Sequence, residues 1–118
     1  MAKYEVGTRV YAVSHADPEK KEVYSFGEGV YEGDVIPDGT PENPAPGGWM
    51  GKAIVEKKVP NPKIKLDNGK IVWGCECWWG PEAMVKEETL RVGWTVIPVD
   101  IDEERRKVEG MEDGDKNE

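Results

Sequence analysis

The sequence predicts an all-β domain: a small barrel or sandwich of five to seven short strands, with one short helix and a disordered acidic C-terminal tail. Three observations carry that expectation. Short stretches alternate apolar and polar side chains, the period-two pattern of strands. Turn residues recur between them, with 14 Gly and 9 Pro in 118 residues. Charge collects at one end: residues 100–118 hold nine acids against four bases, and residues 1–99 hold fifteen against twelve. The organisation expected is a single domain over 1–101, with a loop insertion at 37–49, and a flexible acidic tail over 102–118.

Residues 6–14 open the domain. Val6, Thr8, Val10 and Ala12 fall on one side, with Arg9, Tyr11 and Val13 on the other, as in a strand. Residues 15–21 are polar and contain Pro18, so they read as a turn. Residues 22–26 form a second strand and 27–36 a third. Gly27, Gly29 and Gly33 in the latter predict a bulge, a bend or close approach of another backbone. Residues 37–49 contain four Pro and three Gly, which excludes a helix or a central strand there. Trp49, at the end of this loop, is expected to anchor it to the core.

Residues 51–59 read as a strand centred on Ala53, Ile54 and Val55, broken by Pro60 and Pro62. Residues 63–67 alternate strictly, and Asn68-Gly69 then signals a type I′ hairpin. The return strand over 70–79 places Ile71, Trp73, Cys75, Cys77 and Trp79 on one face, and Val72, Gly74, Glu76 and Trp78 on the other. Gly80-Pro81-Glu82 marks the start of a helix of one or two turns over 82–88. Residues 92–99 make a last strand, which Pro98 places at an edge unless it lies near the strand's end. Beyond Asp102 a helical stub over 103–109 and disorder from 110 onward are expected.

Val6-Gly7-Thr8-Arg9-Val10 opening a strand, the glycine-bent strand from Gly27 to Gly33, and Ile64-Lys65-Leu66-Asp67-Asn68-Gly69 ahead of an aromatic-rich strand together resemble an SH3-like barrel of the Tudor or KOW kind. The likeness lies in element order and glycine placement and covers residues 4–80. The long Pro loop and the extra strand near Trp94 depart from the minimal barrel. What the resemblance implies is a recognition module with an aromatic-lined groove and no catalysis. The segment from Trp73 to Glu82 is also similar to small uncharacterised phage or bacterial proteins, a likeness that implies no activity.

Charge and composition narrow the function classes. The net charge of −8 disfavours direct binding to a phosphate backbone and suits a partner with a basic surface. No apolar run approaches the ~18 residues of a membrane span, and the N-terminus lacks an apolar signal region. A cytoplasmic protein with reduced thiols is expected, because Cys75 and Cys77 on one strand lie about 6.5–7 Å apart, at the edge of what a disulfide bridges. No metal and no cofactor are expected: the C-x-C pair has no second pair, and His15 is the only histidine. Acid pairs such as Asp34/Asp38 and Glu28/Glu32 fit no calcium-loop template, and no nucleophile elbow is present. The chain reads as a non-enzyme.

The aromatic residues are the best functional signal. With the Cys face in the core, Trp78 beside Glu76 faces outward, and Tyr24, Tyr31 and Trp49 join it as a groove wall. Such rings bury much area at little entropic cost, so they favour recognition of a protein partner. The plainer reading is that the rings fill the core and pin the loop. A second candidate is a small-molecule or nucleotide binder that stacks its ligand on Trp or Tyr above a lysine cluster, Lys57, Lys58, Lys63, Lys65 and Lys70. A third is an acidic inhibitor whose tail covers the nucleic-acid-binding surface of a partner.

Overall fold

The computed structural model describes residues 4–116. Six strands and three helices run in the order β1 (Arg9–Asp17), β2 (Glu22–Val35), α1 (Gly48–Lys57), β3 (Asn61–Leu66), β4 (Ile71–Trp73), β5 (Trp78–Pro81), α2 (Glu82–Val92), β6 (Thr95–Pro98) and α3 (Ile101–Lys116). The strand order is β4-β3-β2-β1-β5, antiparallel throughout, with β6 added in parallel beside β2. The protein is therefore a mixed α/β fold on an open sheet. The all-β closed barrel expected from the sequence is not formed.

Local chemistry explains why the sheet stays open. Among the described residues β4 and β5, the two ends of the path, do not pair with each other. A 3-10 turn over Gly74–Glu76 separates them. Glu76 Oε1 accepts the Trp73 N–H at 3.1 Å, so that backbone donor goes to a side chain and not to a ladder. The single alternating strand expected over 70–79 is thus two short strands. Ile71, Val72 and Trp73 are all buried, with none of the alternation of a half-exposed strand.

β1 and β2 form a long hairpin. Asp17 closes its turn by accepting the N–H groups of Glu19 and Lys20 at 3.1 and 3.3 Å. The two strands expected over 22–36 are one strand of 14 residues. One side of β2 pairs with β1. The other is shared between β6, along Glu22 to Ser25, and β3, along Gly29 to Val35. Gly29 permits that close approach, since a Cβ there would stand 2.5 Å from the Lys65 carbonyl oxygen. The β3–β4 hairpin forms where Asn68-Gly69 predicts it. Only Gly69 there has positive φ, so the turn is not type I′, which needs two such residues.

The helices are where the sequence misleads. Residues 51–59 form most of α1 and not a strand. Ile54 and Val55 suggest β structure, but Met50, Lys52, Ala53, Glu56 and Lys57 are helix formers, and none of these positions is fully buried. Lys58 in the left-handed region ends the helix, its N–H reaching the carbonyls of Ile54 and Val55. α2 runs 11 residues, past the expected 88, until Gly93 at φ 71° stops it. The tail is helical from Ile101 to Lys116, where a stub and then disorder are expected. Ile101 is buried in the core, and three acids in the first turn suit the helix N-terminus. The disorder expected for residues 117 and 118 lies outside the described residues.

Two apolar clusters lie on the two sides of β1. Val10 and Ala12 join Phe26, Tyr31, Ile64, Leu66, Val72 and Ile101 in the main core. Val13 joins Val23 and Val85, placing α2 over the opposite side. The Pro/Gly loop at 37–47 is folded on its own hydrogen bonds. Asp38 accepts from the N–H and hydroxyl of Thr40, and the Asn43 carbonyl accepts the N–H groups of Asp38 and Gly39. Trp73 pins this loop by donating its indole N–H to the Pro44 carbonyl at 2.8 Å, whereas Trp49 is exposed and does not enter the core.

Candidate functional site

β5 is a strand of four residues, Trp78-Trp79-Gly80-Pro81, and α2 begins at the next residue. That immediate turn lays the first turns of α2 alongside β5. The two elements and Tyr4 enclose a groove of about 260 Å³, with Trp78, Trp79, Pro81, Met84 and Glu88 on its walls and Val85 beneath. Trp79 is fixed from within: its ring stacks on Tyr31 at 5.5 Å and meets the edge of Tyr4 at 5.6 Å. Trp78 and Met84 remain 58% and 61% exposed. Large apolar side chains this open, beside a rigid aromatic wall, are what a contact surface needs.

The structure scatters the residues expected to form one aromatic face. Only Trp78 lines this groove. Tyr31 is 1% exposed and belongs to the core, so it is no groove wall; its hydroxyl donates to Asp34 at 2.7 Å. Burial, helped by that bond, pushes its phenol up to about 12. Tyr24 lies half-buried on β2, stacked on His15 at 4.5 Å and donating its hydroxyl to Glu22 at 2.7 Å. Trp49 is 68% exposed in the first turn of α1. Tyr4, Trp79, Met84 and Glu88 complete the groove and are absent from the expected face. The signal that finds Met84 and Glu88 is Pro81-Glu82, because a helix starting there brings positions 84 and 88 beside the strand.

Glu76 has a structural role. With Arg105 it makes the most buried ion pair among those described, the two side chains being 11% and 14% exposed. Arg105 donates Nε to Oε2 at 2.9 Å, Nη2 to Oε1 at 2.7 Å, and Nη2 again to the Ile71 carbonyl at 3.0 Å. Glu76 also accepts the N–H of Gly47 at 3.3 Å. One carboxylate thereby ties together β4, the Pro/Gly loop and α3. A second cavity of about 240 Å³ lies above this pair, between Met50, Cys75 and Val108. The charges at its base are already paired within the protein.

The five lysines do not line one common depression. Lys63 and Lys65 share a shallow depression of about 360 Å³ with Glu32 and Glu42, and Lys63 pairs with Glu32 at 3.6 Å. Lys70 turns to Asp100 and Asp102. Lys57 and Lys58 end α1, outside that depression. The thiols differ from the expected pair on one core face. Cys77 packs against the main core, and burial pushes its thiol far up; Cys75 is exposed on the 3-10 turn, its thiol raised by partial burial and by the nearby Glu76 charge. The described residues hold no group of three or more His, Cys, Asp or Glu placed to bind a metal ion. No helix among them is long and apolar enough to cross a membrane.

Comparison with protein-family models, with curated proteins and with solved structures yields no match to this chain.

Proposed function

We propose that this protein is a non-catalytic recognition module that binds a protein partner through the groove between β5 and α2. The observation that carries the reading is the pairing of exposed Trp78 and Met84 with the internally braced Trp79. A groove of about 260 Å³ is small for a site that must enclose a drug-sized molecule, which takes roughly 300–1,000 Å³. It suits one or two side chains of a partner. The nucleotide-binding reading is weakened by the lysines, since Lys63 and Lys70 are already paired with acids.

Retrieval of the partner from a lysate of the source cells tests the proposal. Wild type is compared with Trp78→Ala and Met84→Ala, and with Tyr24→Phe as a control away from the groove. One protein should be retained by wild type and the control and lost from both groove variants. Retention of that protein by a Trp78→Ala, Met84→Ala double variant of unchanged stability removes the groove from the reading. A thermal-shift panel of nucleotides addresses the rival, because a bound ligand raises the melting point by mass action.

A further inference from the structure

We propose that the occupant of this groove is an extended segment of a partner protein, added as a strand to the open edge of β5, carrying one large apolar side chain next to a lysine or arginine. The inference rests on the recognition-module reading and names the kind of partner. β5 is the terminal strand of the sheet path and, among the described residues, pairs only with β1. Its outer edge offers backbone groups that no other strand takes up among the described residues. A sheet edge of this kind binds extended peptides by strand addition.

The groove lies along that edge and not on one face of the sheet. Trp78 stands opposite Val13, which belongs to the cluster under α2, whereas Trp79 stacks on Tyr31 in the main core. Both tryptophans nevertheless line the same groove, so it straddles the strand. An added strand would send one side chain into the groove and the next away from it, as strand geometry requires. Pro81 has no N–H, and β5 is four residues long, so the new ladder is short. Most of the affinity must then come from the side chain held between Trp78 and Met84.

Charge selects the neighbouring residue. Glu5 follows Tyr4, which lines one wall, and Glu87 precedes Glu88, which lines the other; all three acids are exposed. Arg91 is the base that answers them, at 2.7 Å from Glu88 in an exposed pair. Lys86 is already engaged with Glu28 and Glu82. The rim is thus acidic on balance, and a cation beside the apolar anchor complements it. An exposed pair such as Arg91–Glu88 is easily exchanged for a partner's cation.

The test is selection of random dodecapeptides displayed on phage against the immobilised full chain. The consensus is then synthesised and its affinity measured by fluorescence anisotropy. The expected consensus has one aromatic or large aliphatic residue with Lys or Arg within two positions. Its affinity should fall at least about tenfold with Trp78→Ala, as for a central aromatic contact. Methylating single backbone nitrogens should weaken it at every second position, the signature of a strand. Raising the salt should weaken it further. Peptides that need Trp78 but are acidic, or whose sensitivity to methylation lacks a period of two, overturn the strand-and-cation inference and leave the groove reading intact. Peptides indifferent to Trp78→Ala, or none at all, overturn both. Self-association of the free chain, abolished by Trp78→Ala in light scattering, would make a second copy the occupant and overturn the inference as well.

Discussion

Replacing Arg105 by alanine tests how the C-terminal helix is held. The side chain makes three hydrogen bonds, two to Glu76 and one to the Ile71 carbonyl, and is only 14% exposed. Its removal leaves the Glu76 carboxylate in a largely buried position with the N–H groups of Trp73 and Gly47 as its remaining donors. Breaking one side of a buried pair typically costs about 3–5 kcal/mol. The two surviving donors place this case at the lower end, about 3 kcal/mol. For a chain of 118 residues the unfolding entropy is about 0.25 kcal/mol per degree, so the melting point should fall by roughly 12 °C. Thermal and urea unfolding followed by circular dichroism read this directly. The double variant Arg105→Met, Glu76→Gln removes both charges and should recover part of the loss. Arg91→Ala, which breaks an exposed pair, should move the midpoint little. A loss below about 1 kcal/mol for Arg105→Ala, the range of exposed pairs, would refute the claim that this contact anchors α3.

Four further outcomes follow from the same structure. Trp79→Ala should cost about 3–5 kcal/mol because its ring is braced by Tyr31 and Tyr4, whereas Trp78→Ala, on the open side of the groove, should change stability little while removing partner binding; equal losses in urea unfolding would contradict the groove geometry. Gly29→Ala should destabilise severely, since its Cβ would meet the Lys65 carbonyl at 2.5 Å, while Gly27→Ala meets no neighbour and pays only for its φ of 98°, about 1–3 kcal/mol. The melting point should fall on both sides of neutrality. Donors from Thr40, Arg9, Lys86 and Lys70 hold Asp38, Asp67, Glu82 and Asp100 respectively below the usual carboxylate range, so their contribution is fully present above the unfolded values of about 4 and is lost as pH falls below them through the lowered folded values. Tyr31 is raised to about 12, so the unfolded chain ionises first and stability declines as pH rises from about 10 toward 12; Tyr24, Lys70 and Lys86, also raised, add to the loss, and Tyr31→Phe should remove Tyr31's share of it. Cutting the chain after Ile101 should destabilise the domain, because it removes Arg105, so the acidic-inhibitor reading is better tested by Glu103→Gln with Glu109→Gln, at exposed positions of α3; binding that collapses in that variant but survives Trp78→Ala would favour it.

The sequence by itself determined where the chain turns and where most strands run. Asp17-Pro18, Asn68-Gly69, Gly80-Pro81 and Pro98 act through φ restrictions and missing donors, which are local properties, and each stands at the boundary it predicts. The close approach at Gly29 was legible for the same reason. One wall of the candidate groove, Trp78, was legible from its place opposite the predicted core face. The remainder depended on contacts between residues far apart in the chain. Residues 51–57 carry both β-branched residues and helix formers, so periodicity alone could not choose between strand and helix. The acidic tail became a helix because Ile101 entered the core and Arg105 found Glu76, 29 residues earlier in the chain. Glu76 also took the Trp73 N–H and turned one predicted strand into two, which left β5 as an open edge. Tyr31 left the expected binding face because Trp79 stacked on it within the core. Which aromatic ring is buried and which is exposed is set by what packs on each side of the sheet, and a single strand's alternation does not contain that information.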